Sequence, residues 1–509
     1  MEAEVITSRE MRALEVNAEY FGVSRLQLME NAGRSVASEI SARFQPKRTR
    51  VVVFCGLGGN GGDGFVTTRQ LLSLGYSVEV VVAGKTADIK HEAALKNWSA
   101  LQSLRSSIVI HEVTDSSQVP EVKADVVVDA LLGIGLKGVL RQPALQLIKT
   151  INGIQAFCLA VDVPTGIDSD SGKVLGEAVK ADLTVTFHKA KPGLLKAGEY
   201  VGELVVKDIG LPRTFEGFAG PGDVTLVINP RPVESHKGDF GKLLVVGGSE
   251  TYSGAPALVA LAALRTGVDL TYIAAPEKTA YAISSTTPNL ITIKLEGSHL
   301  NPDNVSRIKQ YLGKATAAVI GPGLGLHAET MGAVREIVGV AEAMGTPLLL
   351  DADGLKAFAE FKPPLRVPLV LTPHAGEYSI LTGKELPSSL EERMEKVRKT
   401  AAKLSTVVLL KSSTDIISDG KKVKLNFTGN PGMTVGGTGD VLSGVVGAFM
   451  AQQVDSFEAA VAGAFINGAA GDFVKSEKGC HMVATDLLDW IPKIVNDPMS
   501  HLKVRKNAP

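Results

Sequence analysis

The feature that most constrains this chain is a repeated alternation of short, very apolar, β-branched runs with segments of helical period. Arg50–Cys55 (RVVVFC), a helical stretch ending near Gly75, and Ser77–Ala83 (SVEVVVA) make one β-α-β unit. Ala124–Ala130, Phe157–Val163 and Leu183–Phe187 repeat the pattern. Strands this apolar have no wet face. They are expected in a parallel sheet covered by helices on both sides. Met11 to Ile40 reads as amphipathic helices packed before that sheet.

The rhythm breaks at residues 213–232 (RTFEGFAGPGDVTLVINPRP), a Pro- and Gly-rich stretch without helical period, which we take as the connection between a first domain at 1–212 and a second at 233–498. Eight strands are then expected, starting at Lys242, Leu270, Leu290, Ala317, Pro347, Pro368, Val407 and Lys422. The fold class is α/β: a Rossmann-like three-layer sandwich followed by a second, larger α/β domain.

Formal net charge is −1, so no bulk attraction to nucleic acid is expected. The apolar stretches Ala255–Leu264 and Val441–Ala451 are too short to span a bilayer. The first residues lack an apolar leader core, and Cys55, Cys158 and Cys480 form no CxxC pair. A cytoplasmic protein with reduced thiols and no membrane partner is the expectation.

The first strand runs into Gly56–Gly64 (GLGGNGGDG). Glycines permit positive φ and close approach, and a strand-to-helix turn aims free N–H groups at anions. Gly56, Gly58 and Gly61 match GxGxxG, so an NAD-dependent dehydrogenase is one rival reading. Asn60 and Asp63 argue against it, because a carboxylate there repels pyrophosphate. Asp129 and Asp162 end two further strands, where open α/β sheets collect ligands. Asn60, Asp129 and Thr165 offer only oxygen-type ligands, which suits a hard cation rather than zinc. The plain alternative is that the aspartates cap turns.

These three motifs, GLGGNGGDG, VDALLGIGLKG and VDVPTGID, in this order, resemble the NAD(P)H-hydrate epimerase domain over 1–212. The resemblance implies that Asn60, Asp129 and Thr165 bind potassium. It also implies that Gly59, Asn60, Gly61, Gly62, Asp63, Gly133, Ile134, Gly135, Leu136, Lys137, Gly138, Val139 and Asp162 hold the hydrated nicotinamide nucleotide. Gly59 replaces the first of two asparagines usual in the family, and Thr165 stands where serine is common. Inverting the hydroxyl-bearing C6 calls for a proton-transfer group, for which we nominate Asp162.

In the second half, Asn430–Asp440 (NPGMTVGGTGD) is the sharpest signal. Gly436, Gly437 and Gly439 make an anion-binding loop, Thr438 offers a donor, and Asp440 stands on the first turn of an apolar helix. Helix-terminal amides stabilise a transferring phosphoryl group, and an aspartate there can accept the proton of an attacking alcohol. The bland reading is a glycine turn with an N-terminal aspartate. No Walker lysine motif occurs.

GGTGD resembles the ribokinase-like superfamily. With HKGDFGKLLVVGGS (from His236), YSGAP, GPGLG (Gly321–Gly325), LDADGL, TPHAGE (Thr372–Glu377) and KSSTD (Lys411–Asp415), residues 233–498 resemble the NAD(P)H-hydrate dehydratase domain. That implies a ribokinase-like fold, with Gly323, His374 and Asp440 at the hydrated coenzyme. Lys411, Ser412, Ser413, Thr414, Asp415 and Gly439 would then surround ADP, and Asp440 would be the acid/base. Ser412 replaces a usual glycine.

The implied function is repair of hydrated NADH and NADPH (NADHX, NADPHX): epimerisation at C6, then ADP-driven dehydration, with K+ required, Mg2+ a further candidate and a homo-oligomer expected. Three alternatives stay open. One is a ribokinase-like vitamin-precursor kinase fused to a nucleotide-binding module. The second is a first half that is an NAD-dependent dehydrogenase, and the third is a first half that binds modified nucleotides without catalysis.

Overall fold

The computed structural model describes residues 4–135 and 138–505, which divide into two compact units, Met1–Arg213 and Thr214–Pro509. In the first unit, helices Ser8–Tyr20 and Arg25–Arg43 open with capping boxes, Thr7 with Glu10 and Ser24 with Gln27. Seven strands follow: β1 (Arg50–Cys55), β2 (Ser77–Ala83), β3 (Val109–Val113), β4 (Val126–Ala130), β5 (Phe157–Val161), β6 (Leu183–Phe187) and β7 (Glu203–Lys207). All pairings are parallel, in the order β3-β2-β1-β4-β5-β6-β7.

Both faces of this sheet are covered, as its apolar strands require. Val52 and Phe54 pack in one core with Leu147, Ile148 and Ile151 of helix Ala144–Gly153. Val53 and Cys55 face helix Gly59–Ser73, so closely that a Cβ on Gly64 would lie 2.7 Å from Cys55 Sγ. Chain order reverses between β1 and β4, and a ligand crevice is expected at the carboxyl ends there.

The second unit holds β8 (Lys242–Val246), β9 (Leu270–Pro276), β10 (Ile291–Leu295), β11 (Ala317–Ile320), β12 (Leu348–Leu350), β13 (Leu369–Leu371), β14 (Val407–Leu410), β15 (Asp415–Ser418) and β16 (Val423–Asn426). Their order is β10-β9-β8-β11-β12-β13-β14-β15-β16, parallel through β14 and antiparallel for the last two pairings. One face packs on helices Ala328–Met344 and Ala352–Phe361. The other takes helix Thr438–Ala451, buried from Val441 onward, with Gly447 against Val319. Its order reverses between β8 and β11.

Nine strands form where eight were expected, the addition being β15, only four residues long. The 213–232 stretch contains a helix, Pro221–Val227, with Pro at its first turn and Asp223 accepting from Gly220 N–H. Two turns are too short to give a readable period, and its Val224 and Val227 are buried. Among the described residues no helix is long and apolar enough to cross a membrane.

Candidate active sites

In the first unit a cleft of about 480 Å³ opens at the β1/β4 reversal. Of the residues singled out above, Gly59, Asn60, Asp63, Gly133, Ile134, Gly135 and Asp162 line it. From Gly59 onward the glycine run is the start of a helix rather than a loop, since Gly59–Ser73 is helical from its first residue, with Gly58 as its cap. None of Gly56, Gly58, Gly59, Gly61, Gly62 or Gly64 has positive φ, so the expected conformational role is replaced by close packing. A Cβ on Gly61 would lie 1.8 Å from Gly56 O, and one on Gly62 would lie 2.5 Å from Met29 Cε. Gly61 and Gly62 are buried in that packing. Gly138 and Val139 lie further along the β4 loop, with Val139 exposed. Leu136 and Lys137 lie outside the described residues.

Asp129 and Thr165 are buried behind the cleft. Thr165 donates its N–H to Asp129 Oδ2 and its hydroxyl to Asp129 Oδ1, both at 2.7 Å, and Leu131 N–H reaches Oδ1 at 3.2 Å. Burial still pushes Asp129 up to about 6 against these bonds. Asn60 differs: both polar atoms of its side chain are buried and have no hydrogen-bond partner among the described residues. An unpaired buried amide costs about 1–3 kcal/mol and asks for an unplaced partner. An oxygen-seeking monovalent cation fits this set, because carboxylate, amide and hydroxyl oxygens are all hard donors.

Asp162, at the end of β5, adopts φ +65°, an uncommon conformation for a residue with a side chain. Its Oδ1 accepts from Lys191 Nζ at 2.5 Å and Thr186 Oγ1 at 3.0 Å. Lys191 is 1% exposed and also donates to Thr186 Oγ1 and the Phe187 carbonyl, at 3.0 and 3.1 Å. The lysine therefore fixes the carboxylate's position, and losing one partner of so buried a pair would be costly.

Sequence reasoning missed Lys191, Glu15 and Arg12, all of which line the cleft. Lys191 follows the carboxyl end of β6, so the strand-end rule would have found it. Glu15 lies on helix Ser8–Tyr20 beside the buried Met11, Leu14 and Ala18, a placement only tertiary packing reveals. Burial, reinforced by Asp162, pushes Glu15 up to about 7 against the pull of Lys191, Arg25 and Arg12. Burial, with Asp162 and Glu15, likewise holds Asp63 well above its ordinary value. Arg12 donates to the Ile134 carbonyl and so holds the β4 loop over the cleft.

In the second unit the carboxyl ends of β12, β13 and β14 meet the start of helix Thr438–Ala451. Lys411 N–H bonds Pro373 O at 2.8 Å, bridging Lys411 to His374. Lys411 Nζ lies 2.8 Å from Asp351 Oδ1 and 3.9 Å from Glu377 Oε2, while Ser443 donates to Asp351 Oδ2 at 2.7 Å. Burial favours a neutral Lys411, but Asp351, Glu377 and Asp440 outweigh it and hold the ammonium above its ordinary value. Asp351 stays below its ordinary value, because Lys411, Ser443 and Thr372 overcome its burial.

Gly437 caps the helix with φ +98°, and a Cβ on Gly439 would lie 3.5 Å from Lys411 Nζ. Asp440 follows on the first turn, pushed up to about 7 by burial and by Asp351, against Lys411. Thr438 is occupied, its hydroxyl donating to Met433 O at 2.8 Å. Gly323, φ +69°, passes over Tyr252, whose Cβ would be 2.8 Å from an added Cβ.

His374 caps helix Ala375–Thr382. Its Nδ1 accepts from Gly376 and Glu377 N–H at 3.0 and 3.3 Å, its Nε2 lies 3.5 Å from Glu377 Oε1, and the side chain is largely exposed. Ser412 and Ser413 are exposed on the turn into β15. Asp415 serves that turn, accepting from Ser412 N–H and Asn426 Nδ2, both at 3.0 Å, and burial pushes it up to about 6. Lys411, Gly439 and Asp440 thus come together with Asp351 and Glu377. The last two stand in the quoted LDADGL and TPHAGE motifs but had been given no role.

Two known families match the chain: the YjeF-related protein N-terminus over residues 25–193 and NAD(P)H-hydrate dehydratase over 243–493. A bifunctional NAD(P)H-hydrate repair enzyme of Pyrobaculum aerophilum is 46% identical over 499 residues, 97% of this chain and 98% of that one. One of Hyperthermus butylicus is 44% identical over 499 residues, covering 97% and 93%. The crystal structure of a hypothetical protein from Streptococcus mutans matches with a TM-score of 0.50 and 26% identity, over 56% of this chain and 99% of that one. With near-complete coverage at such identity, and both units matched in order, the chain belongs to the bifunctional NAD(P)H-hydrate repair enzyme family.

Proposed function

We infer that this protein repairs hydrated NADH and NADPH in two steps, one in each unit. The first unit interconverts the R and S forms of NADHX and NADPHX at C6. The second dehydrates the S form at the expense of ADP, giving AMP and phosphate. The observation that carries the reading is the meeting of Asp440 and Lys411 at the glycine-led start of helix Thr438–Ala451, with the Asp440 carboxyl pushed up to about 7.

Hydroxide is a poor leaving group. Asp440 takes the proton of the C6 hydroxyl as its oxygen attacks the β-phosphorus of ADP, and AMP leaves. A carboxyl that titrates near neutrality suits this task. Lys411 and the helix N-terminus stabilise charge on the moving phosphoryl group. Phosphate then departs with the C6–O bond electrons, a proton leaves the neighbouring C5, and the ring double bond is restored. Gly323 and the exposed side chain of His374 are assigned to the coenzyme. Lys411 to Asp415 and Gly439 are assigned to ADP, with Mg2+ as companion of its phosphates.

In the first unit, Asp162, steered by Lys191, and Glu15 are the proton-transfer pair facing the hydrated ring. Their environments differ: Asp162 accepts from a buried ammonium, whereas Glu15 is driven toward its neutral form. Residues 59–63 and 133–139 are assigned to the nucleotide. Asn60, Asp129 and Thr165 would hold potassium, which would neutralise buried negative charge beside the substrate phosphates. The proposal includes a cytoplasmic setting, where NAD(P)H and ADP are used.

The test mixes the protein with both epimers of NADHX and ADP and follows absorbance of the restored dihydronicotinamide. Full recovery of both epimers is expected. Asp440→Asn should abolish recovery yet leave the epimers exchanging. Asn60→Ala should leave the S form repaired and the R form limited to its spontaneous rate. Recovery by Asp440→Asn at the wild-type rate would overturn the assignment.

A further inference from the structure

Away from both sites, three side chains of the second unit converge without a role in the chemistry above. His299 lies between β10 and the short turn Pro302–Asn304, while His327 and Glu329 begin helix Ala328–Met344. One ligand-type atom from each falls within 4.8 Å of the other two. His299 Nε2 is 2.8 Å from Glu329 Oε2, and His327 Nδ1 is 4.0 Å from that oxygen. The two imidazoles lie tilted against each other, 3.9 Å between ring centroids and 35° between planes.

We propose that His299, His327 and Glu329 form a site for a borderline divalent transition ion of the zinc class. Two imidazole nitrogens and one carboxylate oxygen are the donors such ions prefer, whereas calcium and magnesium favour oxygen alone. Three protein ligands leave a fourth position for water, so the site is open rather than closed.

The frame under the ligands is rigid. Thr330, 1% exposed, donates its hydroxyl to the carbonyl of the fully buried Leu300 at 2.8 Å, tying the His299 segment to the helix that carries the other two. Asn304 Nδ2 bonds Glu296 O at 3.1 Å and fixes the same segment from its other side. The ligands need only rotate on a preformed base, which lowers the cost of binding. His327 gives up one contact, since its Nδ1 now accepts from Glu329 N–H at 3.3 Å. The site lies on the connection that leaves β11 through Gly321 and Gly323, so an ion there would stiffen the end of a segment assigned to the coenzyme.

The experiment titrates Zn2+ into the chelator-treated full-length protein against a chromophoric chelator, and Co2+ in parallel to read its visible spectrum. One ion per chain is expected, with the intense visible bands of four-coordinate cobalt. His299→Ala and His327→Ala should each weaken zinc binding at least tenfold, and His299→Gln with His327→Gln should abolish the bands. His481→Ala, an exposed histidine elsewhere, should bind like wild type. Metal-free thermal melts of each variant check that the fold is kept. Unchanged affinity in the folded His299 and His327 variants, or a cobalt spectrum of hexaaqua type, would overturn the site.

Discussion

Asp440→Asn should make the ligand-free protein more stable at alkaline pH while destroying its repair activity. Burial and the neighbouring Asp351 move the Asp440 carboxyl from 3.8 to about 7. Below pH 3.8 the group is neutral whether the chain is folded or not. Between 3.8 and 7 the unfolded chain releases this proton while the folded one keeps it, so folding loses stability as pH rises and has lost the full amount above about 7. The shift corresponds to at most ~4 kcal/mol, and partial exposure of the side chain screens it to about 2 kcal/mol. Asparagine cannot ionise and escapes the cost. Urea denaturation followed by far-ultraviolet circular dichroism should find the variant more stable by about 2 kcal/mol at pH 8, and by less than half of that at pH 5. Equal stability at both pH values, or a variant weaker at pH 8, would refute an Asp440 held near neutrality by its surroundings. In the repair assay the same variant should fall by at least ~10²-fold, the usual contribution of a positioned proton acceptor.

Three further outcomes are expected. Potassium should accelerate epimer exchange by the wild-type protein but not by Asn60→Ala, as measured by chromatography of the two epimers in potassium and in choline salts; equal stimulation would remove Asn60 from the cation site. Epimerisation should decline as pH rises through about 7, because Glu15 then loses its proton; Glu15→Gln should slow exchange ~10²-fold and flatten that limb, and a limb that survives would clear Glu15. Burial raises the Cys55 and Cys158 thiols far above the usual range while Cys480 is exposed, so native protein should take up iodoacetamide first at Cys480, with labelling of Cys55 before unfolding as the contrary result.

What could be read beforehand follows burial. The interior strands β1, β4, β5 and β6 announce themselves because both faces are apolar. Edge strands β3 and β7 were missed: each has a half-exposed face, and polar residues such as His111, Glu112 and Glu203 blur their pattern. β15 escaped as a four-residue strand, joined to β14 by the turn at 411–414 and to β16 by the turn at 419–422, and these two hairpins end the sheet antiparallel. In the glycine run none of the glycines turns the chain with positive φ, and three are small for packing: Gly64 lies against Cys55 and Ala130 of the sheet, Gly61 against Gly56, and Gly62 against Met29.

The sites divide the same way. Asn60, Asp162, Lys411 and Asp440 sit in local motifs at strand ends or a helix start, where the string of letters already carries the geometry. Glu15 is brought to the cleft by packing across more than a hundred residues, and Asp351 gains meaning only from Lys411 and Ser443 beside it. The unpaired amide of Asn60 is likewise visible only once its surroundings are known.

The central claim is that a kinase-like site performs a dehydration by first making the alcohol a phosphate ester. Label the C6 hydroxyl of S-NADHX with oxygen-18, supply unlabelled ADP, and analyse the products of a single turnover by mass spectrometry. The account predicts one heavy oxygen in the inorganic phosphate, because the C6–O bond is the one that breaks. Heavy oxygen released as water, with none in phosphate, would contradict it.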